Sequence, residues 1–191
     1  KVAASIPPLS ESYRPDLVPE ENLARPIYEA MAGCLAPFVD IYLCETMSSI
    51  QESKNAVTAI RCANQSIPIW VAWTLNDDPG AGLRSGESIT DAVAALPKDE
   101  IEAFLFNCTD PEAITQAIKE LSTITEKPYG AYPNQFHVPQ GWTLDNEIEV
   151  EPRAMTPEEF KGYANRWRQD GASIIGGCCG VGPEYIAALV S

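Results

Sequence analysis

Short runs of apolar residues alternate along the chain with longer stretches in which apolar residues recur every three to four positions. The short runs are continuous, with few polar interruptions, which is typical of parallel strands covered on both faces. They predict strands at residues 2–6, 39–43, 69–75, 103–106, 129–132 and 172–175. The longer stretches predict a helix after each strand, at residues 20–36, 49–63, 88–96, 111–121, 157–169 and 183–190. This alternation predicts an α/β fold.

Polar residues mark where several of these helices begin. Ser49 lies at the start of one helical pattern, Asp110 precedes a proline at the start of another, and Thr156 is followed three positions later by Glu159. Side chains of these types accept hydrogen bonds from the free N–H groups of a first helical turn, and proline is tolerated there. The three helix starts are therefore well defined.

The spacing of the strands favours a barrel over a doubly wound open sheet. The predicted strands begin on average every 34 residues, and a (β/α)8 barrel uses about 31 residues per unit. A doubly wound sheet usually carries a glycine-rich phosphate loop after its first strand, whereas here Pro7 and Pro8 follow and offer no N–H groups. We therefore predict a (β/α)8 TIM-barrel type of fold with about six βα units, the first two being absent.

The extent of the chain suggests a fragment. Its 191 residues suit one domain, and the sequence runs from Lys1 directly into a strand. We expect residues 1–191 to form a single barrel domain that is truncated at its N-terminus. A barrel completed by the missing N-terminal segment or by another chain, and a natural remnant, are the alternatives.

Charge and hydropathy exclude several partners. The chain has 13 Lys and Arg against 27 Asp and Glu, a net charge of −14, which repels nucleic acid and anionic lipid. Its apolar runs are all shorter than the roughly 18 to 20 residues that a membrane span needs. Six irregularly spaced cysteines do not form a secreted disulfide framework. We expect no nucleic acid, no membrane and a cytoplasmic location.

Three of the cysteines lie where predicted strands meet their loops. Cys108 ends the fourth strand, and Cys178 and Cys179 follow the sixth within a Gly-Gly-Cys-Cys-Gly segment. The carboxyl ends of parallel barrel strands meet on one face, so these thiols can converge. Three thiolates suit Zn²⁺ with an open fourth position, and the flanking glycines allow both adjacent thiols to point the same way. Burial as small apolar residues and a redox pair are the alternatives.

The same residues resemble a known family. The segment Phe-Asn-Cys-Thr at 106–109 and the segment Gly-Gly-Cys-Cys-Gly-Val-Gly-Pro-Glu-Tyr-Ile at 176–186 resemble the paired motifs of the homocysteine S-methyltransferase family. Supporting matches at 3–8, 12–16, 40–46 and 132–134 extend the resemblance over essentially the whole chain. The resemblance implies a zinc-dependent (β/α)8 barrel that transfers a methyl group to the sulfur of homocysteine.

The resemblance also implies roles for individual residues. Cys108, Cys178 and Cys179 would be the zinc ligands, and the homocysteine thiolate would take the open position. Glu45 would bind the amino group of the substrate. Apart from the resemblance, the positions of Thr46 and Asn107 at strand ends make them candidate donors that orient a ligand of the same site. The other partner would be a small methyl donor, and relatives use S-methylmethionine, S-adenosylmethionine, betaine or methylfolate. A sulfonium, S-methylmethionine or S-adenosylmethionine, is favoured because the chain shows no corrinoid or folate domain.

One family feature is missing from the sequence. Family members begin with a strand followed by an Asp-Gly-Gly or Asp-Gly motif that contributes to substrate binding, and no such motif follows the first strand here. A barrel fragment that binds zinc or thiols without turnover is therefore the alternative function. Dithiol redox chemistry between Cys178 and Cys179 is disfavoured, because redox pairs are usually spaced by two residues.

Overall fold

Parallel strands form the main sheet of the molecule, which was described from a computed structural model covering residues 1–139, 141–145 and 147–190. The strands in chain order are β1 Ala3–Ile6, β2 Ile41–Met47, β3 Ile69–Trp73, β4 Ile101–Asn107, β5 Tyr129–Tyr132, β6 Phe136–His137, β7 Glu151–Pro152 and β8 Ile174–Ile175. Six of them pair in the order β1-β2-β3-β4-β5-β8, and β6 and β7 form a separate antiparallel pair.

A helix follows each strand of the main sheet. The helices are α1 Glu21–Leu35, α2 Ile50–Ala63, α3 Ile89–Ala95, α4 Pro111–Ile124, α5 Pro157–Gln169 and α6 Pro183–Ala188. Every predicted strand and helix is confirmed, with small shifts of the ends; the β6-β7 pair was not predicted. Among the described helices, none has both the length and the apolar character that a bilayer span requires.

The order of the strands settles the choice between the two α/β topologies. Each strand of the main sheet lies beside the next βα strand of the chain, and all these pairs are parallel. A doubly wound sheet instead reverses direction at a switch point. The unbroken order is that of a barrel wall, and the predicted TIM-barrel type of fold is confirmed. Within the described residues β1 and β8 do not pair with each other, so the wall is open.

The predicted helix starts have the expected capping bonds. The Ser49 hydroxyl accepts from the N–H of Glu52, and the Asp110 carboxylate accepts from the first turn of α4. Thr156 and Glu159 form a reciprocal capping box at the start of α5. These bonds satisfy N–H groups that a helix leaves free at its first turn.

The two faces of the sheet are packed differently. The larger core lies between the sheet and the helices, and there Trp73 stacks on Phe104 with ring centroids 5.6 Å apart. The opposite, inner face carries one small buried cluster of Ala72, Ala103 and Leu105. Trp70 is half-buried at this inner face.

The sheet is strongly curled toward its inner face. β2 and β5 are separated by two other strands, which would place them about 14 Å apart in a flat sheet. The Tyr132 hydroxyl of β5 nevertheless donates a hydrogen bond of 3.0 Å to the Glu45 carboxylate of β2. Curling of this kind brings the carboxyl ends of distant strands together, as in a barrel.

Candidate functional site

The sulfur atoms of Cys108, Cys178 and Cys179 meet at the carboxyl end of the sheet. All three lie within 4.8 Å of one another. The Cys179 sulfur is 3.6 Å from that of Cys108 and 3.9 Å from that of Cys178, and Cys108 and Cys178 are joined by a disulfide. Cys108 is buried, whereas Cys179 is exposed. The structure thus brings together the three thiols that the sequence singles out, in a cluster with access to solvent.

The last residue of β5 and the chain just beyond it hold all three cysteines in place. The N–H of Cys108 donates to the carbonyl of Tyr132 at 3.1 Å, and the N–H of Cys178 donates to the carbonyl of Pro133 at 2.9 Å. Gln135 in turn donates its N–H to the carbonyl of Cys179 at 2.9 Å. Because β5 lies between β4 and β8, its extension serves as the template on which the two cysteine segments align.

Glycines beside the adjacent cysteines are required by close contacts. A Cβ atom at Gly177 would lie 2.2 Å from the Val181 side chain, and one at Gly180 would lie 2.7 Å from that of Gln135. Gly180 also has a φ of +79°, which a residue with a side chain rarely adopts. The tight turn that presents Cys178 and Cys179 on the same side therefore depends on these glycines.

Asn107 joins the ends of two strands that are not neighbours. Its side-chain carbonyl accepts from the N–H of Thr46 at 2.8 Å, and its amide donates to the Thr46 hydroxyl at 2.8 Å. Both residues are buried. This reciprocal pair connects β4 to β2 across the end of β3, directly before Cys108. Asn107 thus fixes the strand end from which Cys108 projects.

Backbone strain is concentrated around the cluster. The described residues other than glycine with positive φ are Tyr13 at 67°, Thr46 at 61° and Cys108 at 49°. Such conformations cost of order 1 to 3 kcal/mol each and persist where surrounding contacts impose them, often at functional sites. At Cys108 those contacts include the Thr74 hydroxyl, which donates to its carbonyl at 3.3 Å.

We expect Asn107→Ala to lower the free energy of unfolding by about 3 kcal/mol, because the buried N–H and hydroxyl of Thr46 would each lose their partner. Chemical denaturation monitored by circular dichroism measures this change. Thr46→Ser is the matched control, since it keeps the hydroxyl and should change stability by less than about 1 kcal/mol. Equal stability of Asn107→Ala and the wild type would contradict the structural role given to Asn107.

Glu45 lies on the inner face of the sheet, next to the cluster end. Its carboxylate accepts the hydrogen bond from Tyr132. Burial, followed by the nearby charge of Glu45, holds the pKa of Tyr132 well above its ordinary value. Tyr132 therefore remains a hydrogen-bond donor at any physiological pH and holds the Glu45 carboxylate in a fixed orientation.

A cavity of about 740 Å³ opens at the same end of the sheet. Tyr13 lines this cavity, and its ring lies under the guanidinium of Arg84 at 5.3 Å. Burial raises the pKa of Tyr13 to about 12, and the neighbouring Cys179 adds to the effect. Sequence reasoning missed Arg84, since an arginine in a polar loop gives no signal by itself.

The single histidine and the other three cysteines of the chain lie outside the cluster. His137 is exposed in β6 and lies 3.2 Å from the guanidinium of Arg153, outside the cysteine cluster. Cys44 is buried in the main core, and burial raises the pKa of its thiol. Cys34 and Cys62 are exposed on α1 and α2. The redox pair considered from the sequence, Cys178 with Cys179, is not the pair that the structure joins.

Comparison with known proteins gives a family match over the whole chain. The model of the family described as homocysteine S-methyltransferase matches residues 1–191. Homocysteine S-methyltransferase 1 of Brassica oleracea var. italica is 31% identical over 151 residues, which cover 78% of this chain and 45% of that protein. Selenocysteine methyltransferase of Astragalus bisulcatus is 30% identical over 154 residues, covering 79% and 44%. The chain spans just under half the length of these relatives.

Solved structures give a similar match. The metallated form of the homocysteine methyltransferase MmuM from Escherichia coli superposes with a TM-score of 0.77 at 25% identity, covering 98% of this chain and 59% of that one. The oxidized form of the same enzyme gives a TM-score of 0.76 at 26% identity, with 98% and 60% covered. The likeness therefore includes nearly every element described above.

Proposed function

The chain belongs to the homocysteine S-methyltransferase family, and from that premise we propose that it transfers a methyl group from a sulfonium donor to the thiolate of homocysteine, forming methionine. S-methylmethionine and S-adenosylmethionine are the donors proposed. The observation that carries the proposal is the convergence of three cysteine sulfurs within 4.8 Å at the carboxyl end of a barrel-type sheet. This is the end at which barrel enzymes bind their substrates.

The donor set fits a zinc ion. A tetrahedral Zn²⁺ with zinc–sulfur bonds of ~2.3 Å needs sulfur atoms about 3.8 Å apart. The Cys179 sulfur lies 3.6 and 3.9 Å from the other two. Cys108 and Cys178 would join it as ligands once their disulfide is reduced. Thiolates are soft ligands that favour zinc over magnesium or calcium.

Reduction is thus a condition for activity. Zinc held by Cys108, Cys178 and Cys179 would supply the positive charge that keeps the homocysteine thiol deprotonated at neutral pH. A cytoplasmic location is proposed for the same reason, because thiols are kept reduced there.

Glu45 is proposed to bind the ammonium group of homocysteine. Tyr132 holds one carboxylate oxygen at 3.0 Å, and within the described part of the chain no hydrogen bond engages the other. Thr46 and Asn107 are proposed to support this site, because their mutual hydrogen bonds fix the strand ends beside Glu45 and Cys108. A charge-assisted hydrogen bond of this type contributes about 1.5 to 3 kcal/mol to binding.

The proposed reaction is a direct displacement. The homocysteine sulfur forms a bond to the methyl carbon while the bond from that carbon to the donor sulfur breaks, and the electron pair stays on the donor sulfur. A thiolate and a sulfonium become two neutral thioethers, so no proton is needed in the step. The chain's contribution is to align the two sulfur atoms.

The test is methionine formation by the reduced, zinc-loaded chain with homocysteine and S-methylmethionine or S-adenosylmethionine, measured by mass spectrometry with a labelled methyl group. We expect labelled methionine with one of the two donors. Glu45→Gln should raise the KM for homocysteine about tenfold or more, since the ammonium would lose a charged partner. An exposed-site variant, Lys98→Gln, is the control.

One alternative function predicts a different result in the same assay. A barrel fragment that binds zinc or thiols without turnover would hold zinc but form no methionine with either donor. Zinc bound at about one ion per chain together with no labelled product would favour this alternative over the transferase. Its support is that the described strands form an open wall with β1 and β8 unpaired to each other.

A further inference from the structure

A cavity at the carboxyl end of the sheet is bounded by loops that follow different strands. Tyr13 and Asp16 come from the chain after β1, and Asp77 and Arg84 from the chain after β3. Its volume of about 740 Å³ is ample for an amino acid. The homocysteine site proposed above, at Glu45, does not use these residues, so the cavity is free for a second small molecule.

The loop that carries Arg84 is firmly fixed. The N–H of Arg84 donates to the carbonyl of Thr74 at 3.0 Å, and the next N–H, of Ser85, donates to the carbonyl of Ser48 at 3.0 Å. A Cβ atom at Gly82 would lie 2.2 Å from the carbonyl oxygen of Glu87, so the loop closes tightly. The base of the Arg84 side chain is therefore positioned before any ligand arrives.

The Arg84 guanidinium has donors that the described residues leave unused. Its Nη1 lies 3.4 Å from the Asp77 carboxylate, a long contact. Its Nε and Nη2 are buried and have no hydrogen-bond partner in the described part of the chain. Unpartnered buried donors cost about 1 to 3 kcal/mol each, so a ligand that takes them gains affinity. Turning this edge to the cavity would give up the long Asp77 contact and move the guanidinium over the Tyr13 ring, which also lines the cavity.

Arg14, which lines the same cavity, shows how such an edge is satisfied. Its Nε and Nη2 donate to the two oxygens of Asp16 at 2.7 and 2.6 Å. The Nε and Nη2 edge of an arginine matches the two oxygens of a carboxylate. Arg84 has the same edge without a carboxylate to fill it.

The other charges of the cavity select among carboxylates. Asp77 and Asp78 line it together with Arg84. These acidic groups disfavour a ligand that is only an anion, and they favour one that also carries a cationic group. A zwitterionic amino acid meets both requirements, with its carboxylate at Arg84 and its positive centre toward the aspartates.

We propose that Arg84 binds the α-carboxylate of a zwitterionic amino-acid methyl donor in this cavity. The assignment of the ligand as the donor rests on the proposed function, because homocysteine is placed at Glu45. Arg84 is then a residue that selects donors by their free carboxylate.

Binding without turnover tests the proposal. Isothermal titration calorimetry on the reduced chain compares S-methylmethionine with its methyl ester, which lacks the negative charge. We expect the wild type to prefer the free acid by about tenfold or more, and Arg84→Gln to lose this preference. Arg84→Lys should keep only part of it, since a single ammonium cannot make the paired contact. Arg166→Gln is the matched control, because Arg166 also lies over a tyrosine ring and beside a carboxylate.

Several outcomes would overturn the proposal. They are equal affinity of the wild type for acid and ester, an unchanged preference in Arg84→Gln, and no saturable binding of S-methylmethionine to the wild type. If Arg84→Gln does not fold, the relative affinity of the wild type for the acid and the ester still tests whether the cavity binds a free carboxylate. In the methyl-transfer assay, Arg84→Gln should raise the KM for S-methylmethionine and leave the KM for homocysteine unchanged. A raised KM for homocysteine alone would mean that Arg84 binds the carboxylate of homocysteine, and it would overturn the assignment of the ligand as the donor.

Failure of the proposed function gives a different pattern. A chain without zinc or without methionine formation could still prefer the free acid over the ester, since calorimetry needs neither metal nor turnover. In that case Arg84 remains a carboxylate-binding residue and only the methyl transfer is excluded.

Discussion

Cys108→Ser is expected to reduce bound zinc from about one ion per chain to less than about a tenth of one, because one of three protein ligands is lost. A protein thiolate contributes a few kcal/mol to a zinc site, so the affinity should fall at least about a hundredfold. Serine is close to cysteine in size, and the buried position should therefore tolerate it. Metal content of freshly reduced protein, measured by mass spectrometry, gives the result.

The matched control for this substitution is Cys34→Ser, which changes an exposed cysteine of α1 outside the cluster. It should leave the zinc content unchanged. Cys178→Ser and Cys179→Ser should behave like Cys108→Ser, because the three sulfurs form one group. Zinc retained in Cys108→Ser, or lost in Cys34→Ser, would contradict the proposed ligand set.

Gly130→Ala is expected to destabilise the protein by about 3 kcal/mol or more and to weaken zinc binding as well. A Cβ atom at Gly130 would lie 1.7 Å from the carbonyl oxygen of Ile174, so β5 and β8 could not stay paired as they are. The chain after β5 aligns both cysteine segments, and its displacement would separate the sulfurs. Chemical denaturation and metal content measure the two effects.

A second glycine provides the contrast. Gly162 lies within α5, and nothing lies within 4 Å of the place where its Cβ would be. Gly162→Ala should therefore stabilise the protein by about 0.5 to 1 kcal/mol, since alanine favours the helix. Equal destabilisation by both substitutions would show that the close approach of β5 and β8 is not the reason why position 130 requires glycine.

The sequence was sufficient to predict the strands, the helices and the meeting of the cysteines, for physical reasons. Parallel strands that are covered on both faces appear in the sequence as continuous apolar runs. Because the strands are parallel, their carboxyl ends lie along the same edge of the sheet. Cys108 and Cys178, although 70 residues apart, both follow such strands. Nothing more than the strand positions was needed to expect them on the same edge.

Other features of the site could not be predicted, because they depend on geometry that no local pattern records. The contact between Tyr132 and Glu45 exists only because the sheet curls enough to bring β5 to β2. The bonds between Asn107 and Thr46 reach across a whole strand, and Arg84 becomes notable only through its unpartnered nitrogens. The disulfide between Cys108 and Cys178 likewise follows from the approach of two loops.

The use of the β5 extension as a shared template has a consequence for how the chain acquires its metal. To bring Cys108 to Cys178, an unfolded chain would have to close a loop of 70 residues and lose conformational entropy. In the folded state the paired strands already hold this loop closed, so zinc binding does not carry that cost. The ion should therefore bind the native state and not the unfolded ensemble. By linkage, free zinc at a thousand times its dissociation constant would add about 4 kcal/mol of stability, so metal supply and resistance to unfolding rise together.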